Sequence, residues 1–173
     1  MKYLIVDDIP ESLSLLIRTL RQAGHHVTTA RDLDIGWEWI QHERETPFDL
    51  VVLDLSLDRI SREFIQEQSI IRNAPSMRDH GDFLPISGQA MGLRLWRRRK
   101  DLRQRYCYLT HHRYFWAPQI DEGDPEFERK ASEWEPSAGF PDLILEIAEL
   151  WPNNVAEKFQ TAWQVWEDRQ WLR

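Results

Sequence analysis

The first 55 residues alternate short apolar runs with amphipathic stretches, and this alternation limits the folds open to the chain. Three apolar runs are typical of buried strands: "KYLIV" (2–6), "HVTTA" (26–30) and "FDLVVLDL" (48–55). Between them, "PESLSLLIRTLRQAG" and "DLDIGWEWIQHER" carry apolar residues at helical spacing, and Pro10 suits a first helical turn. Strands that alternate with helices of this length predict a parallel sheet with right-handed crossovers.

The rest of the chain predicts helices and strands in a less regular order. "GQAMGLRLWRRRKDLRQR" (88–105) predicts a helix with a basic outer side, and "YCYLT" (106–110) predicts a fourth strand. "EFERK" (126–130) is interpreted as a short fifth strand, "FPDLILEIAELW" (140–151) as a helix, and residues 152–173 as a final helix. Residues 56–87 mix charge, proline and glycine around one weakly helical piece, "SREFIQEQSIIRN".

Composition narrows the class of protein. The 173 residues are 42% hydrophobic and 29% charged, which is typical of a globular chain, and the net charge of -7 argues against nucleic-acid binding. No apolar run approaches the roughly 18 residues that span a bilayer, and Asp7 and Asp8 interrupt the place of a secretion signal. The single cysteine, Cys107, fits a reducing compartment. The sequence therefore predicts a cytoplasmic protein without a membrane or nucleic-acid partner.

Polar side chains follow the ends of the predicted strands. Asp7 and Asp8 follow the first strand, and Asp54 ends the third. Thr110 ends the fourth strand and Lys130 the interpreted fifth. Ligands of doubly wound sheets bind at this edge, where clustered carboxylates repel one another unless a cation such as Mg²⁺ lies between them. Such a site, with a hydroxyl and an ammonium group nearby, suits transfer of a phosphoryl group to a carboxylate.

With the motifs "LIVDD", "FDLVVLDL", "MGLRLWRRR", "CYLT" and "GDPEFERKAS", the chain resembles the receiver domain of response regulators over roughly residues 2–151. The resemblance implies that Asp54 accepts the phosphoryl group. It also implies that Asp7, Asp8, Asp54 and the backbone carbonyl of Ser56 hold Mg²⁺.

Further residues carry roles that the resemblance implies. Thr110 would be the switch hydroxyl, Lys130 would pair with the phosphoryl group, and Phe127 would be the aromatic side chain that repacks with the switch. His111 stands where the family usually has a small residue, and it is interpreted as a pocket-lining side chain.

The fold implied by the resemblance is α/β and flavodoxin-like. It is a doubly wound, five-stranded parallel sheet in the order 2-1-3-4-5, with an extra C-terminal helix. Residues 1–151 would form the receiver domain, and residues 152–173 a helical extension with no separate output domain. Residues 56–87 are longer than the family's loop after the third strand, and they are interpreted as a loop insertion beside the pocket.

The function implied is that of a single-domain response regulator. It would receive a phosphoryl group on Asp54 from a histidine kinase or phosphotransfer protein, with Mg²⁺, and would signal by protein contact rather than act as an enzyme. The alternative is a binding or adaptor module of the same fold that works without phosphorylation. A Mg²⁺-dependent phosphohydrolase is disfavoured, because Ser56 stands where a second catalytic acid would be needed.

Three segments of the sequence each allow two interpretations. The final helix places Val155, Phe159, Trp163 and Trp166 on one stripe, which either docks on the domain's own core or forms a homodimer or partner interface. The aromatic residues at 114–116 are either local packing or a partner surface that includes a homodimer. The run "RLWRRRKDLRQR" is interpreted as the solvated face of a helix in preference to a nucleic-acid contact.

Overall fold

Five strands and six α-helices make up the described part of the chain. A computed structural model describes residues 1–57, 61–73, 88–111, 116 and 143–173. The strands are β1 (Lys2–Val6), β2 (His26–Ala30), β3 (Leu50–Asp54), β4 (Tyr106–Thr110) and β5 (Ile144–Glu146). The helices are α1 (Ser14–Gln22), α2 (Leu33–His42), α3 (Ile65–Asn73), α4 (Gln89–Arg97), α5 (Arg99–Leu102) and α6 (Val155–Arg169). Short 3-10 turns, Pro10–Leu13 and Ile147–Glu149, precede α1 and follow β5.

The five strands form one parallel sheet in the order β2-β1-β3-β4-β5. Every residue of β3 and β4 is buried, as expected of parallel strands that are covered on both faces. The register sets Asp54 opposite Leu109, and Thr110 opposite Glu146. The predicted flavodoxin-like fold and sheet order are therefore confirmed, and the carboxyl ends of the strands share one edge.

Local sequence signals explain the first half of the fold. The Asp32 side chain caps α2 by accepting a hydrogen bond from the Ile35 backbone N–H at 2.7 Å. Gly24 adopts a φ of 85° between α1 and β2, a conformation that favours glycine. Ile17 and Leu20 bury the inner side of α1. The alternation predicted for the first 55 residues is confirmed, with a 3-10 turn at Pro10 before α1.

The last strand differs from the sequence prediction. "FPDLILEIAELW" was expected to be helical, but its described part contains β5 and the 3-10 turn Ile147–Glu149. Short apolar runs fit either a strand or a helix, and here the exposed edge of β4 takes Ile144–Glu146 as its partner. The "EFERK" segment, interpreted as the fifth strand, lies outside the described residues.

The predicted C-terminal helix is present as α6, and its apolar stripe packs on the chain's own core. Val155, Phe159, Ala162 and Trp166 are buried, whereas Trp163 is only half-buried. Because β5 begins opposite Tyr108, its ladder with β4 does not reach Tyr106. The indole N–H of Trp166 donates to the Tyr106 carbonyl oxygen at 2.7 Å instead. The docking interpretation of this stripe is therefore confirmed, and the stripe is not free to form a homodimer.

The segment after β3, interpreted as a loop insertion, contains the helix α3. Asp34 of α2 anchors its start, because the Asp34 carboxylate accepts hydrogen bonds from the Ser61 hydroxyl and from the Arg62 and Glu63 backbone N–H groups. The segment from residue 61 onwards is thus held against α2 by an acidic cap before α3 begins.

A half-buried arginine joins α3 to α4. The Arg94 guanidinium makes a bidentate pair with the Glu67 carboxylate, with both nitrogen–oxygen distances at 2.9 Å. The same group stacks over Phe64 at 4.0 Å and Trp37 at 5.2 Å from the ring centroids. A bidentate pair against aromatic faces is among the stronger uses of arginine, so α3 is packed as part of the domain.

Among the helices that the structure describes, none has both the length and the apolar character required to cross a membrane.

Of the aromatic residues at 114–116, only Trp116 lies in the described part, where it is half-buried against the core.

Candidate functional site

Three carboxylates meet at the carboxyl edge of the sheet. Asp7 and Asp8 directly follow β1, and Asp54 is the last residue of the adjacent strand β3. One oxygen from each lies within 4.8 Å of the other two. Asp7 and Asp54 are buried, and Asp8 is half-buried. The structure thus brings together the three side chains that the sequence assigned to one metal site.

Backbone amides orient two of these carboxylates. The Asp54 Oδ1 atom accepts a hydrogen bond from the Ser56 N–H at 3.0 Å, and the Leu55 backbone also donates to this side chain. The Asp7 Oδ1 atom accepts from the Ile9 N–H at 2.8 Å. The loops after β1 and β3 therefore close around their own carboxylates and fix where the oxygens point.

Burial makes the charged state of this cluster costly. Burial, together with the nearby charges of Asp7 and Asp8, raises the pKa of Asp54 to about 7, against the lowering effect of the Ser56 and Leu55 hydrogen bonds. Burial and the Asp8 charge also raise the pKa of Asp7. Three hard oxygen donors under mutual repulsion suit a divalent cation such as Mg²⁺, so the residues present fit such an ion.

Gly88 closes the back of the Asp54 loop. Its backbone N–H donates to the Asp54 carbonyl oxygen at 3.1 Å. A Cβ atom at residue 88 would collide with that oxygen and would stand 3.1 Å from the Asp54 carbonyl carbon and 3.2 Å from Leu53 Cβ. Only glycine allows this approach, which the sequence reasoning did not single out.

Thr110 and His111 lie at the neighbouring strand end. Thr110 is buried as the last residue of β4, one position beyond the partner of Asp54. His111 is exposed, and its charge lowers the pKa of Asp7, which indicates that the ring lies near the acidic cluster. Both positions agree with the edge that the sequence predicted, although their roles there stay predictions.

The strand β5 does not end in the lysine that the sequence predicted for the fifth strand. Lys130 and Phe127 lie outside the described residues, and the strand that pairs with β4 ends at Glu146 instead. Among the described residues the strand beside β4 is Ile144–Glu146, whereas the interpreted strand at 126–130 is not described, so the role of Lys130 stays a prediction. Glu146, opposite Thr110, was missed because "LILE" was interpreted as helical. The Ser56 carbonyl likewise stays a predicted metal ligand.

A family model matches the first third of the chain. Residues 3–66 match the response regulator receiver domain. This segment is similar to the receiver domains of that family. It contains Asp7, Asp8 and Asp54, so the resemblance inferred from the sequence is confirmed where the acidic cluster is built. No curated protein sequence matches the chain.

Solved receiver structures share the fold over nearly the whole chain. One is the N-terminal domain of a response regulator/sensory box/GGDEF protein from Carboxydothermus hydrogenoformans. It is 13% identical, with a TM-score of 0.56 and 98% of each chain covered. Another is the CheY-like response regulator receiver domain from Methanospirillum hungatei JF-1. It is 17% identical, with a TM-score of 0.51 and 97% of each chain covered. At these identities the similarity shows the fold.

The raised pKa of Asp54 gives the metal-free protein a distinctive pH dependence. Folded Asp54 holds its proton up to about pH 7, whereas an ordinary carboxyl releases it near 3.8, so the free energy of unfolding should fall between these values. We expect a loss on the order of 3 kcal/mol across this range, and a smaller loss in Asp54→Asn, in which Asp7 still titrates. Urea unfolding in EDTA at several pH values measures both.

Magnesium should reverse this loss above pH 7, because the ion binds the ionised carboxylates of the folded state only. A wild-type stability that is flat with pH in EDTA, or a slope that Asp54→Asn leaves unchanged, would contradict the assignment of this titration to Asp54.

Proposed function

We propose that the chain is a response-regulator receiver domain that receives a phosphoryl group on Asp54 from a histidine kinase or phosphotransfer protein, and that it signals by protein contact. The observation that carries the proposal is the convergence of the Asp7, Asp8 and Asp54 carboxylates at the carboxyl edge of a receiver-type sheet. A receiver domain from residue 1 to 151, an insertion at 56–87 and a helical extension at 152–173 are part of this proposal.

In the proposed reaction, an Asp54 carboxylate oxygen attacks the phosphorus of a phosphohistidine. A new oxygen–phosphorus bond forms as the nitrogen–phosphorus bond to the donor imidazole breaks, and the donor keeps the electron pair. Mg²⁺ held by Asp7, Asp8, Asp54 and the Ser56 carbonyl would neutralise charge on the phosphoryl oxygens. The Ser56 and Leu55 amides keep the Asp54 carboxylate aimed out of the strand end.

The remaining pocket residues have supporting roles in this proposal. The Thr110 hydroxyl, buried at the next strand end, would move onto the phosphoryl group, and His111 would line the pocket beside Asp7. Lys130 would pair with a phosphoryl oxygen and Phe127 would repack with the switch, as the receiver resemblance implies. The product is a phosphorylated signalling domain that returns to its resting state by hydrolysis.

A second candidate is a cation-binding adaptor module that works without phosphorylation. Glu146 favours it, because the register sets this acidic residue opposite Thr110, at the sheet edge where a negative charge would repel a phosphoryl group. In this alternative the acidic cluster binds a divalent ion, and protein recognition occurs without any covalent change at Asp54.

Acetyl phosphate with Mg²⁺ tests the proposal. We expect the intact mass of the wild type to increase by one phosphoryl group, and beryllofluoride to change the tryptophan fluorescence. Asp54→Asn should show neither change, although its circular dichroism should match that of the wild type.

The same samples discriminate between the two candidates. A folded wild type that binds Mg²⁺ in calorimetry but forms no adduct with either reagent would exclude phosphoryl transfer and support the adaptor module. An adduct that persists in Asp54→Asn would show that the acceptor is another residue.

A further inference from the structure

A cavity of about 390 Å³ lies at the amino ends of the strands, away from the acidic cluster. It is bounded by the segments that lead into β3 and β4 and by the end of α6. Its lining combines apolar side chains with charged ones of both signs: Phe48, Trp166 and Leu172, the basic Arg103, Arg105 and Arg173, and the acidic Asp49 and Glu167. The volume lies in the range of small-molecule sites in proteins.

Backbone contacts hold the floor of this cavity in place. The Gln104 side-chain amide donates to the Phe48 carbonyl oxygen at 2.7 Å, and the Val51 N–H donates to the Arg105 carbonyl oxygen at 2.9 Å. The Asp49 N–H donates to the Lys2 carbonyl oxygen at 2.8 Å. The chain entering β4 is thus bonded to the chain entering β3, so the cavity is formed before any ligand arrives.

Some of the charged side chains that line the cavity have an ion-pair or hydrogen-bond partner in the described part of the chain, and others have none there. Arg105 is paired, because its Nε atom donates to Glu167 Oε1 at 2.8 Å. The Asp49 carboxylate accepts a hydrogen bond from the Lys2 backbone N–H at 2.7 Å. By contrast, within the described ranges neither Arg103 nor Arg173 has an ion pair, and both side chains are exposed at the cavity. Two uncommitted guanidinium groups therefore face one formed cavity.

Backbone strain also concentrates here. Arg103 and Gln170 have φ values of 52° and 54°, and among the described residues they are the only ones other than glycine with a positive φ. They end α5 and α6, and both line this cavity. Glycine usually occupies such a helix end, because a residue with a Cβ atom is strained in this conformation. An arginine kept there, at the cavity, is consistent with a use for its side chain.

We propose that this cavity binds a small organic anion, whose carboxylate or phosphate group meets the Arg103 and Arg173 guanidinium groups and whose apolar body lies against Phe48 and Trp166. Guanidinium groups bind both kinds of anion through paired hydrogen bonds. The site is separate from the acidic cluster, and it gives a role to Arg103 in the basic run that precedes β4.

Phenyl phosphate, benzoate and inorganic phosphate are suitable probes in an NMR titration of the full chain. We expect saturable shifts of the residue 48–49 and 103–105 amides with phenyl phosphate or benzoate, and the probe that binds more tightly identifies the anionic group. Inorganic phosphate should bind at least about tenfold more weakly, because it lacks the apolar body.

Arg103→Gly is the decisive variant, because glycine accepts this φ and should leave the melting temperature at or above that of the wild type. Its affinity for the preferred probe should fall about tenfold, and Arg103→Lys should lie between the two. Arg18→Ala, which removes an exposed arginine of α1, should bind like the wild type.

Three results would overturn the proposal. They are no saturable shift with either organic probe, equal affinity in the wild type and a folded Arg103→Gly variant, and inorganic phosphate binding as tightly as phenyl phosphate. Binding of duplex DNA at these amides without binding of the small probes would replace the small anion by a polyanion.

Discussion

Trp166→Ala should lower the free energy of unfolding by about 3–5 kcal/mol, a large effect for one side chain outside the acidic cluster. Trp166 is buried between the sheet and the chain's last residues, with its ring centroid 5.0 Å from that of Trp171 and 5.2 Å from that of Tyr106. Removing the indole leaves a cavity where these rings meet, and the neighbouring rings cannot fill it without moving the backbone.

The hydrogen bond adds to this cost. The Trp166 N–H reaches the Tyr106 carbonyl oxygen at the part of β4 that the short strand β5 leaves uncovered. Its loss removes a donor from a buried carbonyl group, which typically costs about 1–3 kcal/mol. Trp166→Phe should therefore destabilise less than alanine, because it keeps most of the ring but not the donor.

Urea unfolding followed by circular dichroism measures these differences. The matched control is Trp151→Ala, whose side chain is 61% exposed and which should change the free energy of unfolding by less than about 0.5 kcal/mol. Equal stabilities for Trp166→Ala and Trp151→Ala would mean that the end of α6 does not hold the edge of β4.

Gly88→Ala should impair both the fold and the acidic site. The added methyl group meets the Asp54 carbonyl oxygen, which is part of a central strand and cannot move without disturbing the Leu55 and Ser56 amides. We expect a destabilisation of about 2–3 kcal/mol and a loss of Mg²⁺ affinity of about tenfold or more, as is usual when the support of a metal ligand is displaced.

Calorimetric Mg²⁺ titration and urea unfolding separate the two effects. Gly24→Ala is the matched control, because it places the same methyl group in open space at a φ of 85°. It should cost roughly 1 kcal/mol of stability and leave the Mg²⁺ affinity unchanged. A folded Gly88→Ala variant with wild-type Mg²⁺ affinity would show that the contact with Asp54 does not position the carboxylate.

The part of the fold that could be predicted was the part in which local pattern and tertiary role agree. The runs at Leu50–Asp54 and Tyr106–Thr110 are apolar throughout because both faces are buried, and the structure gives them the expected bounds. Ile144–Glu146 was misread because its partner, β4, is distant along the chain, and only that pairing makes three residues a strand.

The acidic site could be predicted where it depended on clearly marked strands. Asp7, Asp8 and Asp54 could be placed together because each directly follows or ends a strand that the sequence marks clearly. The choice of Lys130 depended on the weakest strand prediction. Gly88 was not recognised, because its contact is with a backbone atom and leaves no pattern in the sequence.

The hydrogen bond from the Gly88 N–H to the Asp54 carbonyl oxygen also closes the chain between these residues into a loop. The loop begins at Leu55, directly after β3, and returns to the same peptide group. Asp34 and Arg94, which lie outside the loop, hold the start of its helical part and α3 itself. The entropy of closing such a loop rises only slowly with its length. A peptide epitope or small domain spliced between α3 and Gly88 should therefore leave the sheet register unaltered, so this part of the chain can vary in length while the strand that carries Asp54 stays constant.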